Sequence, residues 1–398
     1  MVAGLRLHWH TSLREIDPSA WDALLHQVSG ARPFLMHEWL LAMEETGCAA
    51  PDTGWQPLFP ALYDADDRLL AACPVYLKSH SYGEYVFDWA WANAHDQALA
   101  ATGQRYFPKL LSASPFSPIP GQRLLVHPEV SEPQRSTLRV AMLDALRERC
   151  LHEGWSSAHV LFASEDEATL ARQAGWLIRH GVQFHWSNRA PHPYANFDDF
   201  LSSLHRDKRK KILQERRKVA EAGVSFRVVE GQRATPDDWA FFYRCYEQTY
   251  LAHGQRPYLS AAFWQRVGAS LAPHWVMFVA SRDGEDLACS LLAVDREQGT
   301  CHGRYWGALD FVTCLHFEAC YYQPLLWCIE QGMQSFEGGA QGEHKLARGL
   351  LPVGTQSMHW LAHAGMARAV ADFLMREDQG VLHYVNELDE RKPFKPQD

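Results

Sequence analysis

Between Phe336 and Val353 the sequence reads FEGGAQGEHKLARGLLPV, a dense polar run in a chain that is 47% hydrophobic. Its side chains suit proton transfer beside a developing negative charge. Glu343 and His344 are of the types that accept a proton. Lys345 and Arg348 are of the types that hold an oxyanion or a phosphate. If the segment is extended, Glu343 and Lys345 share a face; if it is helical, Lys345 and Arg348 do. The competing reading is structural, with Gly338, Gly339 and Gly342 making a tight turn and Arg348 pairing with a surface carboxylate.

Two further groups are charged enough to count. From Asp198 to Ala222 the sequence is helical in character, with Gly223 as its stop. It carries eight Lys or Arg residues between Arg206 and Lys218, among them Lys208, Arg209 and Lys211, against only Asp207 and Glu215. One reading is a solvated helix face; since the whole chain has a formal charge of −9, such a stretch is also a local anomaly that suits phosphate. The second group is SHSYGEYVFDWAWANAHD, 79 to 96, whose alternation reads as a strand with Tyr82, Glu84, Val86 and Asp88 on one face. Two carboxylates on one face are costly unless that face is wet or borders a cleft: one reading is an edge strand with a wet face, the other a cleft in which Tyr82, Glu84 and Asp88, with Lys78 nearby, bind an acceptor. Lys109 and Arg123 are candidates to meet an acceptor carboxylate or phosphate. No metal centre is expected: His359 and His363 have i, i+4 spacing but no carboxylate of zincin type nearby. There is no GxSxG elbow, and none of the nine cysteines has a context that marks it as activated, which disfavours a covalent intermediate.

The elements that must position these residues occur twice. LFPALYDADDRLLAACPVYL and VMFVASRDGEDLACSLLAV each read as two apolar runs around an Asp-rich or Asp-Gly turn, a β-hairpin. Each follows two helical segments and precedes another helix and a strand, SSAHVLFAS in the first half and SFEGG in the second. Length alone favours two domains. The repeat gives two α+β domains, 1–188 and 189–398, joined near SNRAPHP. The cysteines form no CxxC pair, and no window approaches a membrane span or a signal peptide, so a soluble cytoplasmic protein is expected.

The order helices, antiparallel strands, helix, strand is that of the GNAT acyltransferase fold. The stretch from GRYWGALDF to GLLPV, together with SLHRDKRKKILQERRKVAEAG and KSHSYGEYVFDWAW, resembles the FemAB-like family, two GNAT-like domains in tandem, related to the transferases that build peptidoglycan cross-bridges. The resemblance implies two largely antiparallel, twisted sheets flanked by helices, with an acyl donor held where two central strands of the second domain splay apart. It implies an N-acyltransferase moving an acyl or aminoacyl group to an amine by direct attack. The donor would be aminoacyl-tRNA or acyl-CoA, with no permanently bound cofactor, and the acceptor a peptidoglycan precursor or another small amine in the cleft between the domains. Glu343, His344 and Lys345 would be catalytic; in bridge-forming relatives a lysine follows the corresponding strand in a Phe-Lys motif, although His precedes Lys345 here. Arg304, Tyr305 and Arg348, with the basic helix, would hold donor phosphates. RYWGAL begins like the acetyl-CoA loop but has Leu309 at its sixth position. The alternatives are an acetyl-CoA-dependent small-molecule N-acetyltransferase and a non-catalytic module recognising peptidoglycan or carbohydrate. DNA is not an expected partner.

Overall fold

A computed structural model describes residues 4–28, 30, 32–339 and 342–395. The chain forms two compact units: residues 1–181 with 355–382, and residues 182–354 with 383–398. A single cut near 188 therefore misses an exchange. Residues 355–382 return to the first unit because the strand they carry completes its sheet, and no local feature of their sequence announces that pairing.

In the first unit, β1 (Arg6–His10), β3 (Phe59–Tyr63), β4 (Leu69–Ala72) and β7 (Leu125–Val126) form one sheet in the order β1-β3-β4-β7. The predicted β3–β4 hairpin is made by Asp64, whose Oδ1 accepts from the backbone N–H of Asp66 and Arg68 at 3.0 and 2.9 Å. Cys73 and Pro74 break the strand, and it resumes as β5 (Val75–Lys78) in another sheet. There β2 (Trp55–Pro57), β5, β6 (Lys109–Ser112), β8 (Ser157–Ala163) and the returning part of β15 (Leu351–Leu361) lie side by side. The helix Gln134–Glu153 buries Leu138, Met142, Leu143, Leu146 and Cys150, one face at helical spacing, and stops at Gly154 with φ +71°. Residues 79–88 are a loop, not the expected strand: Gly83 and Tyr85 have φ of +79° and +62°, which no strand admits.

The second unit has the strand order β10-β11-β12-β13-β14-β9, with β9 (Leu177–Ser187), β10 (Val224–Glu230), β11 (Trp275–Arg282), β12 (Glu285–Asp295), β13 (Thr300–Ala308) and β14 (Ser335–Glu337). Asp283 and Gly284, both at positive φ, make the two-residue β11–β12 turn that Asp-Gly suits. The helix Pro236–Leu251 starts in a capping box, Thr235 with Asp238, and buries Trp239, Phe242, Cys245 and Tyr246. The charged segment forms two helices, Phe197–Ser203 and Arg206–Glu221, interrupted at extended Leu204. From Leu315 to Glu330 a helix runs through a π turn at Glu318–Tyr322, which widens the backbone just ahead of Pro324. No described helix is long and apolar enough to cross a membrane.

Candidate active site

β13 and β14 are paired in parallel over only three positions, Thr300↔Ser335, Cys301↔Phe336 and His302↔Glu337. Past that point β13 runs on to Ala308 while the other chain turns away through Gly338 and Gly339. On its far side β13 carries a bulge against β12: Leu291 faces Tyr305 and Leu292 faces Gly303, leaving Arg304 as the extra residue. A bulge re-aims a side chain. Here it turns Arg304 across the opening, where Nη2 donates to Glu337 Oε2 at 2.9 Å and Nη1 to the Glu337 carbonyl at 3.1 Å.

The opening holds a cavity of about 170 Å³ lined by Leu291, Gly303, Tyr305, Trp306, Cys320 and Tyr321, among others. Behind the cavity, on the opposite face of the sheet from Phe336, runs a polar row fixed by strand register. His302, Glu337 and His185 are neighbours across β13, β14 and β9, and His302 Nδ1 lies 2.8 Å from Glu337 Oε2. Burial would raise the Glu337 carboxyl, but His302, His185 and Arg304 hold it down to about 2, so it stays a carboxylate. Burial lowers His185 to about 4, so at neutral pH its ring is uncharged.

Residues 343–348 stand beside the cavity, next to its lining residues Gly338 and Tyr321. Glu343–Arg348 is a 3-10 helix, not an extended run, and its residues three apart share a face. Lys345 and Arg348 are accordingly buried together while Glu343 and His344 turn outward. Lys345 Nζ donates to the Gly339 carbonyl at 3.2 Å. A Cβ on Gly339 would stand 3.8 Å from that amine and 3.6 Å from Arg304 Nη1, so the two cations converge on this glycine, whose φ is +81°. Burial first and the Arg304 charge second lower Lys345 to about 8. Its ammonium is thus poised to lose a proton near neutral pH. His344 sits at the mouth, its Nε2 3.1 Å from the hydroxyl of Tyr321, which lines the cavity. Burial and the charges of Arg348 and Lys345 lower its pKa too, keeping the imidazole neutral at pH 7.

Several expected residues lie elsewhere. Glu343 is half exposed and ion-paired with Arg391 at 3.2 Å, outside the cavity. Arg348 is buried and engaged within the fold: it grips both oxygens of Glu215 at 2.8 and 2.7 Å, donates to the His344 carbonyl at 2.6 Å and covers the Phe317 ring at 3.5 Å. It is a clamp that positions the turn, not a phosphate ligand. Arg304 and Tyr305 line the cavity but belong to a strand, and Arg304 is committed to Glu337. Gly307 of RYWGAL is explained by packing, since a Cβ there would stand 1.7 Å from the Cys245 carbonyl oxygen. The actual turn after β13, residues 309–314, contains no glycine.

Lys208 and Arg209 are half-buried and Lys211 exposed on the helix Arg206–Glu221, whose inner face supplies Glu215 to the Arg348 clamp. Lys208 pairs with Asp207; Lys210 and Lys211 have no ion pair among the described residues, and the Lys211 charge is felt at His344. Glu318 pairs with Arg216 of this helix at 3.1 Å.

In the first unit the expected acceptor residues separate by exposure. Tyr82 is exposed, edge-on to Trp89 with ring centroids 5.0 Å apart. Lys78, Glu84 and Asp88 are buried around Lys109, whose Nζ donates to Glu84 at 2.8 Å, Asp88 at 2.5 Å and Ser81 at 3.0 Å. Lys78 lies over the Trp55 ring at 3.5 Å. Arg123 is buried and donates to backbone carbonyls of its own loop. None of these charges is presented to a ligand. His359 is buried against His159, at 2.8 Å between Nδ1 atoms, whereas His363 Nδ1 accepts from Met366 N at 3.2 Å in the next helix. Sequence reasoning missed Glu337, His302 and His185, and for Glu337 a signal was present in the Glu between Phe336 and the two glycines.

The family model for FemAB-like proteins of peptidoglycan biosynthesis and recognition matches residues 12–396. No curated protein matches the chain. Among solved structures, L-PGS from Bacillus licheniformis is similar over 90% of this chain and 97% of its own, at 11% identity and a TM-score of 0.51. A tandem GNAT protein from the clavulanic acid biosynthesis pathway is similar over 90% of this chain and 99% of its own, at 12% identity and a TM-score of 0.45. At such identities the likeness concerns the fold. The chain belongs to the FemAB-like family of peptidoglycan biosynthesis and recognition.

Proposed function

We propose that the second unit transfers a short acyl or aminoacyl group from an activated ester or thioester to an amine on a peptidoglycan-related precursor, by direct attack. The observation that carries this reading is a buried lysine beside a small cavity at the open end of β13 and β14. Lys345, charged below about 8, polarises the donor carbonyl and stabilises the oxyanion. His344, neutral at pH 7, takes the proton from the attacking ammonium at the mouth. A cavity of about 170 Å³ has room for roughly six water-sized groups, at about 30 Å³ each, which suits a small acyl group.

The donor we favour is aminoacyl-tRNA, and the support is electrostatic. The helix Arg206–Glu221 turns a cationic face outward next to the catalytic turn, as a polyphosphate backbone requires. Acyl-CoA is the second reading, favoured by the fold, in which donors of that kind occupy the splayed strands; the turn at 309–314, without glycine and with Asp310 in it, is a poor cradle for a pyrophosphate. Nine cysteines without a disulfide favour a reducing compartment, in keeping with the cytoplasm.

The test supplies a cell-wall precursor bearing a free amine with either mixed aminoacyl-tRNA or acetyl-CoA and weighs the product by mass spectrometry. We expect mass gain with aminoacyl-tRNA and a bell-shaped kcat/KM that rises as His344 loses its proton, below the ordinary histidine value, and falls as Lys345 loses its own near 8. Product from acetyl-CoA alone would transfer the assignment to the second reading. Activity that keeps rising above about pH 9 would remove Lys345 from its role.

A further inference from the structure

The first unit carries a constellation that the transfer chemistry does not use. β1 alternates, so Leu7 and Trp9 turn toward the core while His8 and His10 share the opposite face. The short 3-10 helix Leu13–Glu15 folds back and brings Glu15 to the same place. The imidazole rings of His8 and His10 have centroids 4.3 Å apart, and His10 Nδ1 lies 3.1 Å from Glu15 Oε2. One ligating atom from each of the three side chains falls within 4.8 Å of the others.

We propose that His8, His10 and Glu15 bind a divalent transition-metal ion of the zinc type, with a fourth position open to water. Two imidazoles and a carboxylate are a zinc-type donor set, and bonds of about 2.0–2.2 Å place such donors roughly 3.4 Å apart. His8 is exposed and has no hydrogen-bonding partner among the described residues, so a small change of rotamer brings its nitrogen into range.

A second observation points the same way, because the outer partners of a metal site are already in place. In the ion-free site His10 Nδ1 donates to Glu15 Oε2 and Nε2 accepts from the Tyr63 hydroxyl at 2.9 Å; an ion on Nδ1 takes the place of that proton, and Nε2–H then donates to the Tyr63 oxygen. A metal-bound histidine typically anchors its other nitrogen in this manner. Glu15 Oε1 is held by the hydroxyl and backbone N–H of Thr11 at 2.9 and 3.3 Å, which leaves Oε2 aimed at His10. Two of the three ligands are thus oriented from behind with their inner atoms converging. The ion would tie the edge strand β1 to the turn that follows it.

The test titrates the full chain with ZnCl2 by calorimetry and with CoCl2 by visible absorption. The variants are His8→Ala, at an exposed position that leaves folding intact, and Glu15→Gln. We expect one ion per chain, at least tenfold weaker in both variants, and a four-coordinate cobalt spectrum without thiolate charge transfer. Added zinc is expected to raise Tm in the wild type and not in His8→Ala. The proposal is overturned by binding that is unchanged in His8→Ala, by a thiolate–cobalt band, or by no bound ion at micromolar protein.

Discussion

The same three-residue parallel pairing occurs in both units, and the chain leaves it differently. In the second unit β13 and β14 part after His302↔Glu337 and a cavity follows. In the first unit β6 and β8 pair at Leu110↔Ala158, Leu111↔His159 and Ser112↔Val160, and then residues 113–124 fill the place. Gly121 N donates to the Phe162 carbonyl at 2.9 Å, so the inserted loop bonds to β8 where the partner strand has gone. Ile119 and Arg123 are fully buried in it, and Glu167 fixes its end by accepting from the backbone N–H of Arg123 and Leu124 at 2.8 and 2.6 Å. One copy of the scaffold is plugged and the other is open.

The two buried lysines next to these pairings sharpen the contrast and give the largest expected effects. Lys109 bridges Glu84 and Asp88, and Lys109→Met leaves buried Asp88 without its cation and Glu84 with only Lys78, 4.0 Å away. Unfolding by denaturant should show a loss of about 3–5 kcal/mol. Lys345 has no carboxylate partner among the described residues and donates to the Gly339 carbonyl, so Lys345→Met should leave stability unchanged or higher while kcat/KM falls by about 10²–10³. A stability loss from Lys345→Met equal to that from Lys109→Met would erase the distinction between a structural and a catalytic lysine.

The glycine of RYWGAL separates packing from ligand recognition. Gly307→Ala drives a methyl group into the backbone of the helix Pro236–Leu251 and should cost about 1–3 kcal/mol by overpacking. Donor affinity should follow the folded fraction. A variant as stable as the wild type that fails to bind donor would restore the cofactor-loop reading of this segment.

What could be read from the sequence divides along the same line. The hairpins were legible because Asp-Gly and Asp-rich turns are local, and so was the doubled order of elements. The polar segment stood out in the sequence as unusual, and in the structure Lys345 is buried against Gly339 while His344 is exposed beside Tyr321. The rest depended on register and long-range closure. His302, Glu337 and His185 are far apart in the chain at every step and meet only because three strands align. Tyr82–Asp88 mimicked a strand until Gly83 and Tyr85 took left-handed backbone, and the carboxylates there proved to serve Lys109 rather than a cleft. The exchange of residues 355–382 has no local signature at all.

The cationic helix supplies a smaller effect. Lys210→Glu with Lys211→Glu should raise KM for a phosphate-rich donor by about tenfold, with kcat unchanged. The slope of log KM against log salt should flatten by about 0.7–0.9 for each donor phosphate that the helix no longer neutralises. Equal KM at low salt in variant and wild type would mean that this face meets solvent only.

The smallest effect concerns Glu343, and its smallness is informative. Were the segment extended, Glu343 would share the face of Lys345 and its removal would abolish proton transfer. In the 3-10 turn it points to solvent, where its pair with Arg391 is worth about 0–1 kcal/mol. Glu343→Gln should therefore keep kcat/KM within about twofold and leave Tm almost unmoved, whereas His344→Ala should lower kcat by about 10²–10⁴ if the imidazole carries the proton. A loss of about a hundredfold in Glu343→Gln with intact folding would show that the turn rearranges when donor binds and brings the carboxylate inward. The open copy would then owe its chemistry to a conformation that the free protein does not hold.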